Sequence, residues 1–248
     1  MVRALCVILT AVLALSYAQP GEAATLQGQM IDCTSEDPDT AVPACTALLS
    51  NGFGTPEFLA QVYYNRGAAY ESKGRSDLAI ADLSKAIALN PKYAEAYLER
   101  GALYHEKQEY KLAIADYTKA IEIDPKYAEA YSNRGAAYDQ TGDYDLAIAD
   151  DTMAIKLKPR FAQAYVNRCA AYSYKNQTDL ALADISKAIE LAPSLAEAYN
   201  SRAKIYRSQG RYDLAIADLK TALRLNPSLS SAQILLAICE KEAAKPNP

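Results

Sequence analysis

Few residues of this 248-residue sequence have the types and spacing that could do chemistry. The single histidine, His105, is followed by Glu106, but no serine or cysteine stands near for it to activate, which makes it a poor catalyst. No glycine-rich phosphate loop, no carboxylate pair in a loop setting and no cluster of metal ligands occurs. The residue types point away from an enzyme and call for no cofactor and no metal. Cysteine chemistry is the exception. Cys33 and Cys45 lie in MIDCTSEDPDTAVPACTALL with eleven residues between them, whereas Cys169 and Cys239 are isolated. A short loop of this kind is readily bridged in an oxidising compartment, and in a reducing one the two would be buried thiols.

The N-terminus favours the bridge. Met1 to Ala18 reads as a secretory signal, with a basic start ending at Arg3, an apolar run from Ala4 to Leu15, and cleavage expected after Ala18, Ala23 or Ala24. The run is shorter than the roughly 18 to 20 residues that span a bilayer, so removal rather than anchoring is expected. Cys6 sits inside it without the small residues that precede a lipidated cysteine. The sequence thus predicts an exported protein, periplasmic or secreted, with no stable membrane insertion after cleavage and a Cys33–Cys45 disulfide. A formal net charge of -4, with Lys and Arg interspersed among Asp and Glu, excludes a general nucleic-acid binder.

The elements that position these residues follow from a 34-residue period. Ala94 to Tyr127 is rewritten as Ala128 to Phe161, and the same shift relates Arg66, Arg100, Arg134, Arg168 and Arg202, or Pro91, Pro125, Pro159, Pro193 and Pro227. Such a period signals stacked helical repeats. The copies are numbered from Ala60, Ala94, Ala128, Ala162 and Ala196. Tyr at positions 4 and 11 and a small residue at position 8 (Gly67, Gly101, Gly135, Cys169, Ala203) share one helical face, which predicts an aromatic core stripe and close helix approach. A turn follows at positions 14 to 17. A second helix opens with acids such as Asp77 and Asp145, presents Ala79, Leu83 and Ala86 inward, and stops at the proline of position 32. Arg at position 7 and Asp at position 23 recur in all five copies and lie at similar height in a hairpin, so an ion pair is expected there; solvated, it would contribute about 0 to 1 kcal/mol. Asp151 stands where Leu83, Tyr117, Ile185 and Leu219 are apolar, so it must either find a partner, which Arg134 or Arg168 could supply, or reach solvent as a local defect near the helix edge. Cys169 reads as an inert packed thiol.

These residues resemble the tetratricopeptide repeat (TPR), with Tyr in place of the family's usual Trp at position 4, and the resemblance covers about 170 residues. It implies an all-α fold, a right-handed superhelical solenoid of antiparallel helix pairs. The expected organisation is a signal over 1–24, a degenerate, disulfide-tied helical cap over 25–59, five TPR units over 60–229, a capping helix over 230–245 and a tail over 246–248.

In this family the first helices line a concave groove, faced by positions 2, 5, 6, 9, 12 and 13. The resemblance carries that role to Gln61, Tyr64, Asn65, Glu95, Glu99, His105, Glu129, Asn133, Asp139, Asn167, Lys204 and Arg207. Asn65, Asn133 and Asn167 suggest a ladder for the backbone of an extended peptide, since an amide offers donor and acceptor together, with Glu99 and Ser201 interrupting it. Glu71, Glu95, Glu106 and Glu129 make the groove acidic, and only Lys204 and Arg207 reverse the sign. The expected function is a non-enzymatic module that binds a basic or neutral segment of a protein partner. A self-associating scaffold and an accessory subunit of an envelope enzyme or secretion complex are the rival readings, and the sequence leaves oligomeric state open.

Overall fold

A computed structural model describes residues 20–52 and 54–244. Residues 1–19, which carry the expected signal run with Cys6 and Ala18, lie outside the described residues, as do Lys245 and the expected tail, 246–248. Contacts divide the chain into two compact units, Met1–Pro125 and Lys126–Pro248. The N-terminal unit holds α1 (Pro20–Cys33), α2 (Pro38–Asn51), α3 (Pro56–Ser72), α4 (Ser76–Leu89), α5 (Ala94–Glu106) and α6 (Tyr110–Ile123). The C-terminal unit holds α7 (Ala128–Thr141), α8 (Tyr144–Leu157), α9 (Ala162–Tyr174), α10 (Thr178–Leu191), α11 (Ala196–Ser208), α12 (Tyr212–Leu225) and α13 (Ser230–Ala243). Among the described residues every regular element is a helix, and sequential helices pair as hairpins, as the all-α reading expects.

Local signals set the helix ends. Pro38 and Pro56 open α2 and α3, behind Asp37 and Thr55, whose side chains accept from the Asp39 and Phe58 amides. The hairpin turn is fixed by a left-handed residue at position 15: Gly74, Gly142 and Gly210 supply it without strain, while Gln108 and Asn176 adopt φ of 61° and 58°. The next amide then donates back to the position-11 carbonyl, as from Arg75 to Tyr70 at 2.8 Å, closing the first helix.

Between the helices of each pair the core is made of small residues. Ala79, Ala86, Ala113, Ala120, Ala147, Ala154, Ala181, Ala188, Ala215 and Ala222 are fully buried. Position 8 must be small because position 24 presses on it: a Cβ on Gly101 would stand 2.7 Å from Tyr117 Cε1, and one on Gly67 3.2 Å from Leu83 Cγ.

The tyrosine stripe packs against the core, as expected, and has a second role. Tyr63, Tyr70 and their equivalents are half-buried and flank the position-7 arginine, whose guanidinium carbon lies 5.6 to 5.9 Å from each ring centroid. Between the rings the arginine grips the position-23 aspartate of its own hairpin with two bonds. In Arg100–Asp116 both are 2.8 Å, and the same fork joins Arg66–Asp82, Arg134–Asp150, Arg168–Asp184 and Arg202–Asp218. The ion pair expected from the spacing is thus present in every copy, and it is not a solvated one, because all five aspartates are buried. The bonds to aspartate raise the pKa of every one of these arginines.

A further donor reaches the preceding hairpin. Arg66 donates to Thr46 at 3.0 Å, Arg100 to Ser84 at 2.9 Å and Arg168 to Thr152 at 2.9 Å. Exposed lysine pairs reinforce these steps: Lys73 with Asp39, Lys175 with Asp145, and Lys107 with Asp77 at 2.7 Å. The acids that open the second helices thus serve the next hairpin as well as their own helix end.

At the start of the chain Cys33 and Cys45 form the expected disulfide, with Cα atoms 4.8 Å apart, inside a cluster of Met30, Leu48, Phe58 and Val62. Ala23 and Ala24, two of the expected cleavage points, fall within α1. At the other end α13 covers α12 through Ala232, Leu235 and Cys239, and leaves Ile234 64% exposed.

Two outcomes follow from this packing. Replacing Cys33 and Cys45 by Ser should cost about 2 to 4 kcal/mol of stability, read as the difference between urea titrations of the variant and the oxidised wild type. Asp116→Ala should cost about 3 to 5 kcal/mol by stranding the Arg100 guanidinium, whereas Arg100→Met combined with Asp116→Leu should cost clearly less, read by thermal and urea melts.

Candidate recognition surface

The candidate residues of the N-terminal unit sit on α3 and α5. Gln61 and Asn65, one helical turn apart, bond to each other, Nε2 to Oδ1, at 2.9 Å. Gln61 also accepts from the Tyr93 hydroxyl at 2.8 Å, and the Tyr93 ring lies tilted against that of Tyr64, centroids 5.0 Å apart. The Asn65 amide nitrogen lies 4.0 Å from Cys33 Sγ, so this end of the expected ladder rests against the disulfide. Glu95 is exposed and Glu99 half-buried. His105 meets Tyr110 edge to face at 5.3 Å, which gives the ring a packing role.

Acid concentrates here. Burial, and then the charges of Glu99 and Glu106, raise the Glu71 pKa above the usual carboxylate range. The same two glutamates add to the burial that lifts the Tyr117 phenol well above its ordinary value.

In the C-terminal unit Gln163 repeats the Gln61 arrangement, donating to Asn167 Oδ1 at 2.8 Å. Asn167 Nδ2 donates to the Ser132 hydroxyl at 3.1 Å and to the Ser132 carbonyl at 3.3 Å, so this asparagine is turned into the structure. Asn133 and Asp139 are half-buried on α7, and burial pushes the Asp139 carboxyl up to about 7. Glu129 is paired with Lys158 at 2.8 Å, and Lys204 is exposed. Arg207 forks onto Glu242 of α13 at 3.1 and 3.2 Å, so Lys204 is left to carry the reversal of charge that the sequence assigns to both.

Asp151 takes neither partner that the sequence offered. Arg134 and Arg168 are held by Asp150 and Asp184, and Asp151, with no exposed surface, accepts one bond from Ser132 at 3.2 Å. Burial is the main cause that pushes its carboxyl up to about 9, which keeps it protonated at neutral pH. Ser132 thus joins Asn167 to Asp151, a link hidden in the sequence because serine at position 5 reads as surface. Cys169 is buried and its thiol is pushed up to about 12 by desolvation, in keeping with an inert role.

Among the described residues no group of three or more His, Cys, Asp or Glu side chains could hold a metal ion, and no helix is long and apolar enough to cross a membrane.

Models of the tetratricopeptide repeat match residues 60–93 and 196–229, a second such model matches 128–161 and 162–195, and two more match 83–115 and 101–142. Between them they tile the region from 60 to 229. The chain belongs to the tetratricopeptide repeat family. No curated protein matches this TPR chain. Among solved structures it is similar to MamA, at 28% identity over 66% of this chain and 96% of that one, with a TM-score of 0.58. It shares the fold of a thermophilic TPR protein in Thermus thermophilus, at 22% identity over 73% and 99% of the two chains, TM-score 0.63. It also shares the fold of YrrB, at 22% identity over 76% and 95%, TM-score 0.57.

Ser132→Ala in this TPR chain should cost about 1 to 3 kcal/mol at pH 7, because it removes both the donor to buried Asp151 and the acceptor for Asn167. Urea denaturation beside the wild type measures it.

Proposed function

We propose that this TPR chain is a non-enzymatic protein-interaction module, exported to the periplasm or outside the cell, that holds a basic or neutral segment of a partner protein. The carrying observation is the acid on α3 and α5, where Glu71 is half-buried and the charges of Glu99 and Glu106 add to burial in raising its pKa. Carboxylates that repel one another gain when a cation arrives, so a Lys or Arg side chain placed there relieves stored repulsion as well as forming new bonds. Glu95 extends the acidic surface on α5. The Gln61–Asn65 bond holds one of the amides in fixed orientation, which lowers the ordering cost of binding a peptide backbone. The solved structure of YrrB is described as that of a TPR protein with an unusual peptide-binding site, a precedent for peptide capture on this fold. The repeat supplies helix faces and short turns, and a partner segment is the kind of ligand such faces suit.

Matched extended peptides, one rich in Lys and one rich in Glu, titrated calorimetrically against the full chain, test this reading. The Lys-rich peptide should bind more tightly, and its advantage should shrink between roughly 50 and 300 mM salt, concentrations over which the Debye length falls from about 14 to about 6 Å. Tighter binding of the Glu-rich peptide would overturn it.

A further inference from the structure

In four copies the second helix lays an apolar side chain, Leu83, Tyr117, Ile185 or Leu219, against its first helix at position 8. In the copy from Ala128, α7 instead presents Ser132, Gly135 and Asp139, three and four residues apart on one face, and Asp151 of α8 crosses them. Asp151 Oδ1 accepts from Ser132 Oγ at 3.2 Å. Oδ2 lies 3.0 Å from where a Cβ on residue 135 would stand, so it is pressed against α7 one turn before Asp139. That oxygen is buried without a hydrogen-bond donor, and so is Asp139 Oδ1. The charged groups around Asp151 are Asp139 from α7, Asp150 from α8 itself and Arg168 from α9. Arg168 is committed to Asp184 at 2.7 and 2.8 Å, and Asp150 to Arg134 at 2.7 and 2.9 Å, so no cation bonds the two carboxyls. Two neighbouring carboxyls in an apolar seam without a counter-ion resist ionising together.

We propose that Asp139 and Asp151 form a proton-holding pair that makes the α7–α8 hairpin sensitive to pH near neutrality, and that Ser132 passes the change to the Asn167 amide. With both carboxyls neutral, the hairpin closes over Asp151. Loss of the first proton, from half-buried Asp139, turns that side chain toward water; loss of the second forces a charge into the seam and loosens it. The binding consequence rests on the reading of α7 and α9 as a recognition surface, whereas the titration does not.

The sign follows from the two shifts. Both carboxyls ionise near 3.8 when unfolded, and near about 7 and about 9 when folded. The folded chain therefore holds protons that the unfolded chain has released, and their stabilisation is complete below about pH 4 and is lost as pH rises through 7 and then 9.

Thermal melts of the full chain between pH 5 and 9 should show Tm falling by roughly 5 °C or more. Asp139→Asn should flatten the fall between pH 5 and 7, and Asp151→Leu, which restores the apolar residue of the other copies, should remove most of the remainder. Carbon-13 carboxyl titration of the wild type, needing no variant to fold, should show two aspartates with midpoints above pH 6. The Asn167 side-chain amide should shift with the higher of these midpoints, that of Asp151, to which Ser132 is bonded. The proposal is overturned if every aspartate titrates below pH 5, if Asp139→Asn keeps the wild-type slope, or if the Asn167 resonance ignores the titration. Altered peptide affinity bears on the recognition surface alone; an unchanged affinity alongside both titrations would sink that reading and leave the proton-holding pair standing.

Discussion

The forked bond between the position-7 arginine and the position-23 aspartate is the constraint on which each hairpin depends. The helices it joins meet through alanine and glycine, which allow close approach but bury little area and fix no register by shape. A planar guanidinium gripping a carboxylate has one geometry, and a slip of one residue would lose both bonds. The flanking tyrosines let this happen at the edge of a core. Their faces shield the cation from water and attract it through their quadrupoles, offsetting part of the desolvation that would otherwise make a buried pair costly. The donors that run on to Thr46, Ser84 and Thr152 let the same side chain set the next step of the stack within each unit.

Once the framework is held this way, the candidate surface can vary without endangering the fold. Gln61 and Gln163 each brace an asparagine on their own helix, using side chains that the core does not need. Acid can gather on α3 and α5 because the bonds that hold α3 to α4 and α5 to α6 lie elsewhere. Asp151 shows the limit of that freedom. It is a polar side chain admitted to the seam itself, tolerated because Ser132 donates to it, Gly135 leaves room for it, and burial keeps its proton on.

The sequence carried the architecture in what recurs. A 34-residue shift that preserves Ala113 and Pro125 and keeps position 8 small can be read without coordinates, because recurrence marks a constrained position whatever it touches. The disulfide was legible because Cys33 and Cys45 close a short loop. What escaped were contacts between helices, whose side-chain directions no spacing fixes. Spacing put Tyr97 and Tyr104 on the inner stripe, but it did not show that they are also the walls of an arginine slot. Ser84 and Thr152 read as helix surface, yet each accepts from an arginine of the following hairpin. Asp151 called for a cation by charge alone, but both candidate arginines were already held more favourably by aspartates 16 residues away.

That competition explains why the unusual copy is polar rather than disrupted. An aspartate at position 24 could in principle capture the arginine of its own hairpin and break the fork. It does not, because Asp150 offers Arg134 both oxygens in the plane of the guanidinium, whereas Asp151, on the next residue of α8, faces α7 at Gly135. With the strong acceptor taking the cation, the weaker site is left to solve its own electrostatics, and in a seam of low polarity the least costly solution is to keep the proton. Recurrence of the fork and tolerance of a buried acid are thus one phenomenon: the fork is strong enough that a neighbouring carboxyl must adjust to it.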